Sequence, residues 1–189
     1  MSETLVVNIC GAPGVGKSSV ASGVFSQLKL EQFKAELVTE YAKDLTWRGH
    51  HATLANQVYV TAKQYERLYA MQNKVDIVVT DSPILLGLLY PGKKALKYFE
   101  PLVLELFSGF NNLNILLKRN LAYHPYVTEG RGQSQEEAVH LDSVLKKLLD
   151  KNSIPYIIAE MNGPETIASI TALVRQKLLS EETVQGDTL

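Results

Sequence analysis

The chain has 189 residues, is 46% hydrophobic and 21% charged, and carries a formal net charge of −1. That length suits one domain with a sizeable core, and the near-neutral balance excludes the broad basic surface of non-specific nucleic-acid binders while leaving room for a local basic groove. The single cysteine, Cys10, excludes an intrachain disulfide and falls in a strand pattern, where it reads as a packed core residue.

The first residues enter strand pattern directly, without a basic and then apolar leader, and no apolar run approaches the roughly 18 residues of a membrane span. A soluble, cytoplasmic protein with no membrane partner is expected. Leu5-Val6-Val7-Asn8-Ile9-Cys10 is short, apolar and β-branched, and predicts a buried strand. It ends at Gly11-Ala12-Pro13-Gly14-Val15-Gly16-Lys17-Ser18, which fits the phosphate-loop pattern G-x-x-x-x-G-K-[ST] at every fixed position. Ser18 to Leu28, with Ser19 at its start, reads as a helix. Strand, glycine loop and helix in that order separate a site from an accidental glycine-rich turn. Glycines let the backbone curl so that successive N–H groups point inward, and the helix start adds partial positive charge; together they cradle a β-phosphate. Lys17 then reaches the β- and γ-phosphates and the Ser18 hydroxyl ligates Mg2+, so the stretch predicts an ATP or GTP site.

A polar turn from Lys29 to Lys34 leads into a second strand, Ala35 to Thr39, with Glu40 at its C-terminal end. In a parallel α/β sheet the ligand crevice lies outside the carboxyl ends of the strands, so an acid there faces the site. Tyr41 to His51 has no clean periodicity and reads as a substrate-facing loop or a short helix. Its adjacent His50 and His51 do not make a metal pair, because chain neighbours diverge and no further ligand completes the set. Leu54 to Met71 predicts a long amphipathic helix, on which Gln57 and Gln64 share a face two turns apart. Those amides read equally as substrate contacts or as solvated surface.

Val75 to Asp81 is an apolar strand ending in aspartate, the form of an element that holds Mg2+ beside a phosphate loop. Ser82-Pro83 starts a turn, and Ile84 to Tyr90 is too apolar for a free loop. Pro91 to Phe110 reads as a helix with Lys93, Lys94 and Lys97 near its start, and Leu113 to Leu117 as a fourth strand running into Lys118-Arg119. Asn120 to Ser134 has no periodicity, and a stretch of that kind inside a compact domain is usually functional. It carries Arg131 between Gly130 and Gly132, a cation on a flexible mount, as in a lid that delivers positive charge to a transferring phosphoryl group. Ser134-Gln135-Glu136-Glu137 fits a capping box, opening a helix that continues past Leu149. Ile154 to Ala159 is the fifth strand, Pro164 to Leu179 the last helix, and Glu181 to Leu189 a polar tail. Strands alternating with helices predict an α/β fold with a parallel sheet and helices on both faces.

Taken together, Gly11 to Ser18, Glu40-Tyr41-Ala42, Ala62-Lys63-Gln64, Asp81-Ser82-Pro83, Arg119 and Gly130-Arg131 resemble the small P-loop kinases of the nucleoside and nucleotide kinase group. The likeness is closest to the branch of nicotinamide riboside kinases and the phage enzymes of DNA modification that phosphorylate hydroxymethylated pyrimidines. The resemblance implies a single kinase domain over residues 1–180, a lid at about 119–134, a flexible tail at 181–189 and a five-stranded sheet of order 2-3-1-4-5. It implies ATP and Mg2+, with Gly11 to Ser19 around the nucleotide and Ser18 and Asp81 at the metal. Glu40 or Asp81 would orient or deprotonate the acceptor, Tyr41 and Gln64 would touch it, and Lys17, Arg119 and Arg131 would act on the phosphates. The expected activity is transfer of the γ-phosphate of ATP to a hydroxyl of a nucleoside-like small molecule or of modified DNA. Nucleoside monophosphate kinase and NTP-hydrolysing ATPase module are the alternatives, and a homodimer is compatible with either.

Overall fold

The computed structural model describes residues 3–90, 96–127 and 133–186. In chain order the elements are β1 (Leu5–Cys10), α1 (Lys17–Leu30), β2 (Ala35–Val38), α2 (Tyr41–Trp47), α3 (His51–Leu54), α4 (Gln57–Tyr69), β3 (Ile77–Thr80), a 3-10 segment (Ile84–Leu89), α5 (Phe99–Ser108), β4 (Asn111–Lys118), α6 (Gln135–Lys151), β5 (Ile157–Glu160) and α7 (Pro164–Gly186). The strands form one parallel five-stranded sheet of order β2-β3-β1-β4-β5, as the resemblance implies.

β1 lies at the centre and is buried at all six positions, which is why its sequence is almost uninterruptedly apolar. Because side chains alternate across a strand, β1 feeds two cores. Leu5, Val7 and Ile9 pack with Val20, Val24 and Leu28 of α1 and Ile170 and Val174 of α7. Val6 and Cys10 face the other layer, where Leu68, Leu85, Val103, Phe107, Leu145 and Leu149 meet them from α4, the 3-10 segment, α5 and α6.

Several boundaries differ from the sequence expectation, each for a local reason. Tyr41 to His51 folds as α2 and the start of α3. The long helix begins at Gln57, because the Asn56 side chain accepts from Tyr59 N at 3.2 Å and opens a new helix there, leaving Leu54 in α3. Of the helix expected over Pro91 to Phe110, the described part is α5; residues 91–95 lie outside the described residues. β5 starts two residues beyond Pro155, which has no N–H to give to a ladder. The last helix continues to Gly186, since neither Gly nor Pro occurs after Pro164 until that residue. The capping box at Ser134 and Glu137 is formed in full.

Asn8 is the polar exception in β1, and its register opposite Asn114 explains it. Its Nδ2 donates to Asn112 Oδ1 at 2.8 Å and Asn114 Oδ1 at 3.0 Å. Asn114 passes the chain on to Pro155 O at 2.9 Å, and Asn112 to Phe107 O and Phe110 O at 2.7 and 2.9 Å. Cutting such a buried network leaves desolvated donors and acceptors behind. Asn114→Ala is therefore expected to lower the unfolding free energy by about 2 kcal/mol, read as a lower urea midpoint at unchanged m-value.

Candidate active site

The loop between β1 and α1 closes on Gly16, in the left-handed region at φ 100°, and Gly14 turns the same way at φ 73°. Gly14 has a second reason to lack a side chain: a Cβ there would stand 2.5 Å from Cε2 of Tyr126. α1 has no side-chain cap and no acid in its first turn, so its leading N–H groups are left for an anion. The Lys17 ammonium donates back across the loop to Ala12 O at 3.2 Å. Burial lowers its pKa, opposed by the negative charges of Glu40, Asp81 and Asp142 in that order. Burial also pushes the Cys10 thiol up to about 12, so it stays protonated as the core residue expected.

Parallel pairing of β1 with β3, with Asn8 opposite Thr80, sets Asp81 beside the mouth of the loop. Ser18 Oγ donates to Asp81 Oδ2 at 2.6 Å, while Oδ1 is buried without a partner. An anionic oxygen kept dry and unpaired is an acceptor waiting for a cation or a metal-bound water. This hydroxyl and carboxylate suit Mg2+, a hard cation held by one or two protein oxygens together with phosphate and water. No cluster of three or more His, Cys, Asp or Glu occurs among the described residues, and such a site needs none.

Glu40 precedes α2 at the tip of β2 and joins Asp81 in lining a cavity of about 270 Å3 that also reaches Ser18, Lys43 and Asp44. Tyr41 and Gln64, expected as substrate contacts, have partners within the chain. Gln64 is buried, with Oε1 accepting from Tyr41 N at 3.0 Å and Nε2 donating to Thr39 O at 3.3 Å. Its amide therefore fixes the turn that carries Glu40. The Tyr41 ring lies under the Arg67 guanidinium, 4.9 Å from its centroid, and its hydroxyl donates to Tyr59 Oη at 3.3 Å. Gln57, on the same face in the sequence, turns back to Leu54 O at 2.9 Å.

On the opposite side of the loop Arg119 is nearly buried, its side chain 8% exposed. Nε donates to Asp142 Oδ2 and Nη2 to Pro13 O, both at 2.8 Å. Asp142 Oδ1 accepts from Ala12 N at 3.1 Å. Arg131 and its flanking glycines lie outside the described residues.

Residues 6–165 match the family described as AAA domain. The chain belongs to the AAA domain family. No curated protein matches it. Among solved structures, this AAA domain is similar to a shikimate kinase from Bacteroides thetaiotaomicron, at 14% identity over 94% of this chain and 99% of that one, with a TM-score of 0.48. It is also similar to a deoxyadenosine kinase from M. mycoides, at 11% identity over 93% and 99% of the two chains, with a TM-score of 0.44. No helix among the described residues is long and apolar enough to cross a membrane.

Two features of the AAA domain lie outside the sequence expectation. Asp142 carried no motif; its one signal is that it interrupts the buried stripe Ala138, Leu145 and Leu149 of α6. Asn73-Lys74-Val75-Asp76 has the form of the N-K-x-D motif by which GTPases read their base, a match outside the expectation of ATP. It sits at the wrong end of the sheet: Leu5 N donates to Asp76 O at 2.9 Å at the start of β1, and the phosphate loop follows the other end of that strand, roughly 20 Å away at strand rise.

The lowered Lys17 pKa means that the fold disfavours its charged form. The unfolded chain binds that proton more tightly, so Lys17 costs stability at neutral pH and the cost fades as pH rises. Lys17→Met is expected to raise the Tm at pH 7, by about 2–4 °C for each 1 kcal/mol gained.

Proposed function

We propose that this AAA-domain protein is an ATP-dependent phosphotransferase with a nucleoside-like hydroxyl as acceptor. The carrying observation is the cavity that opens from Ser18 and Asp81 onto Glu40: its lining places the Glu40 and Asp81 carboxylates beside the ammonium of Lys43, while Asp44 is already paired with Arg67 at 2.8 Å. Among the described lining residues only Lys43 offers a cation to an acceptor's phosphate, whereas a hydroxyl finds a carboxylate acceptor for its proton in Glu40 or Asp81. The strand order, with Asp81 on the neighbour of the loop strand, supports the same kinase reading.

In this reading the acceptor oxygen attacks the γ-phosphorus in line. The new O–P bond forms as the bond to the β,γ-bridging oxygen breaks, ADP leaves, and the hydroxyl proton passes to Glu40 or Asp81. Ser18 and Asp81 would hold Mg2+, which would supply positive charge to the phosphates. Lys17 and the first turn of α1 orient the β- and γ-oxygens, Arg119 meets charge on the nucleotide side, and Arg131, outside the described residues, is the expected lid cation for the transferring phosphoryl group. A second reading, an NTP-hydrolysing module, is favoured by the family match itself.

Transfer from labelled ATP over a panel of nucleosides, nucleoside monophosphates and DNA with normal or hydroxymethylated bases separates these. The expected result is labelling of a hydroxyl acceptor. Label reaching only water supports hydrolysis, and labelling of monophosphates alone overturns the hydroxyl assignment. Glu40→Gln keeps size and hydrogen bonding but removes the base, and is expected to lower the maximal rate by more than about tenfold. An unchanged rate at saturating acceptor moves the base to Asp81. Asp81→Asn is expected to lower the rate far more than nucleotide affinity, measured by turnover and calorimetry side by side.

A further inference from the structure

Asp142 takes no part in the chemistry above, yet it touches both halves of the nucleotide side of the site. From α6 its two oxygens divide between Ala12 N at 3.1 Å and Arg119 Nε at 2.8 Å. Arg119 Nη2 is occupied by Pro13 O at 2.8 Å. Its third nitrogen, Nη1, is buried and has no hydrogen-bond partner, while the guanidinium stands 5.9 Å from the centroid of the Tyr126 ring. That nitrogen lies over the middle of the phosphate loop, 3.5 Å from where a Cβ on Gly14 would stand, and the Tyr126 ring packs at the same spot.

We propose that Asp142 is a positioning residue for nucleotide phosphate: it clamps Arg119 so that Nη1 points at the phosphate loop, and it holds the Ala12 peptide that forms the loop's first turn. This rests on the reading of the loop as the nucleotide site and deepens it. The chemistry of the pair argues for the role. A lone carboxylate this close to a triphosphate would repel it, but paired with a guanidinium it is neutralised, and its two bonds arrest a side chain that otherwise has many rotamers. A guanidinium held at Nε and Nη2 has one direction left in which to receive an anion. The unpaired Nη1 has the character of a site built for its ligand, with phosphate taking the place of the Tyr126 ring over Gly14.

The test is a double-mutant cycle read as ATP and ADP affinity by calorimetry with Mg2+. Asp142→Asn keeps an oxygen for Ala12 N but turns an amide donor toward Arg119 Nε. It is expected to weaken both nucleotides by about tenfold or more, in the range of a hydrogen bond to a charged group. In an Arg119→Ala background the same change is expected to cost less than about twofold, since its effect runs through the arginine. Arg119→Lys, which keeps the charge and removes Nε, is expected to match Asp142→Asn in the parent chain and serves as the second route if Asp142 variants fold poorly. Equal losses in both backgrounds, or a loss under twofold in the parent, overturn the proposal and leave Asp142 as a tie between α6 and the loop. A parent that binds no nucleotide also overturns it. A parent that binds ATP but labels no acceptor overturns the kinase reading alone, because affinity still reports on Asp142.

Discussion

The contact between Ser18 and Asp81 is the joint on which the site depends, and it exists because β3 pairs directly with β1. A parallel register that sets Asn8 opposite Thr80 brings the residue after β3 level with the start of α1. The two residues are 63 apart in the chain yet their oxygens stand at 2.6 Å. With the joint in place, the cavity toward Glu40 lies on one side of the loop and the Arg119–Asp142 pair on the other. Both flanks are then aimed at whatever the loop holds, because the carboxyl ends of parallel strands open onto one crevice.

Polar groups are treated differently at two places in this sheet. Where β4 begins, Asn8, Asn112 and Asn114 satisfy one another and the surrounding carbonyls, so the network locks the register of β1 against β4. Around the loop the same fold leaves groups unsatisfied. Asp81 Oδ1 and Arg119 Nη1 are two of three such buried side-chain atoms among the described residues, and Lys17 sits where burial disfavours its charge. These groups around the loop carry a stability cost that the asparagine network does not.

Gln64 shows how a residue can matter to the site without facing it. It acts from α4 on the backbone at Thr39 and Tyr41, which carries Glu40 between them. Arg67 reinforces the same turn through Thr39 O at 3.1 Å and Asp44 at 2.8 Å. The acid at the strand tip is thus held by helix side chains on both sides.

The phosphate loop, the alternation of strands and helices, the acid at the end of β3 and the capping box of α6 are legible in the chain before it folds. Each of these is written in neighbouring residues: glycine spacing, apolar runs, and a Ser and Glu three apart. The partners of Tyr41, Gln64 and Asp142 emerge only on folding, since they come from other elements. A glutamine on a helix face has the same local pattern whether it meets a substrate or a backbone turn 23 residues away. Asp142 is the extreme case, bound to Ala12 at a separation of 130 residues. No period or spacing encodes that pairing; it follows from stacking α6 against the sheet, which brings its one acidic inward position to the loop.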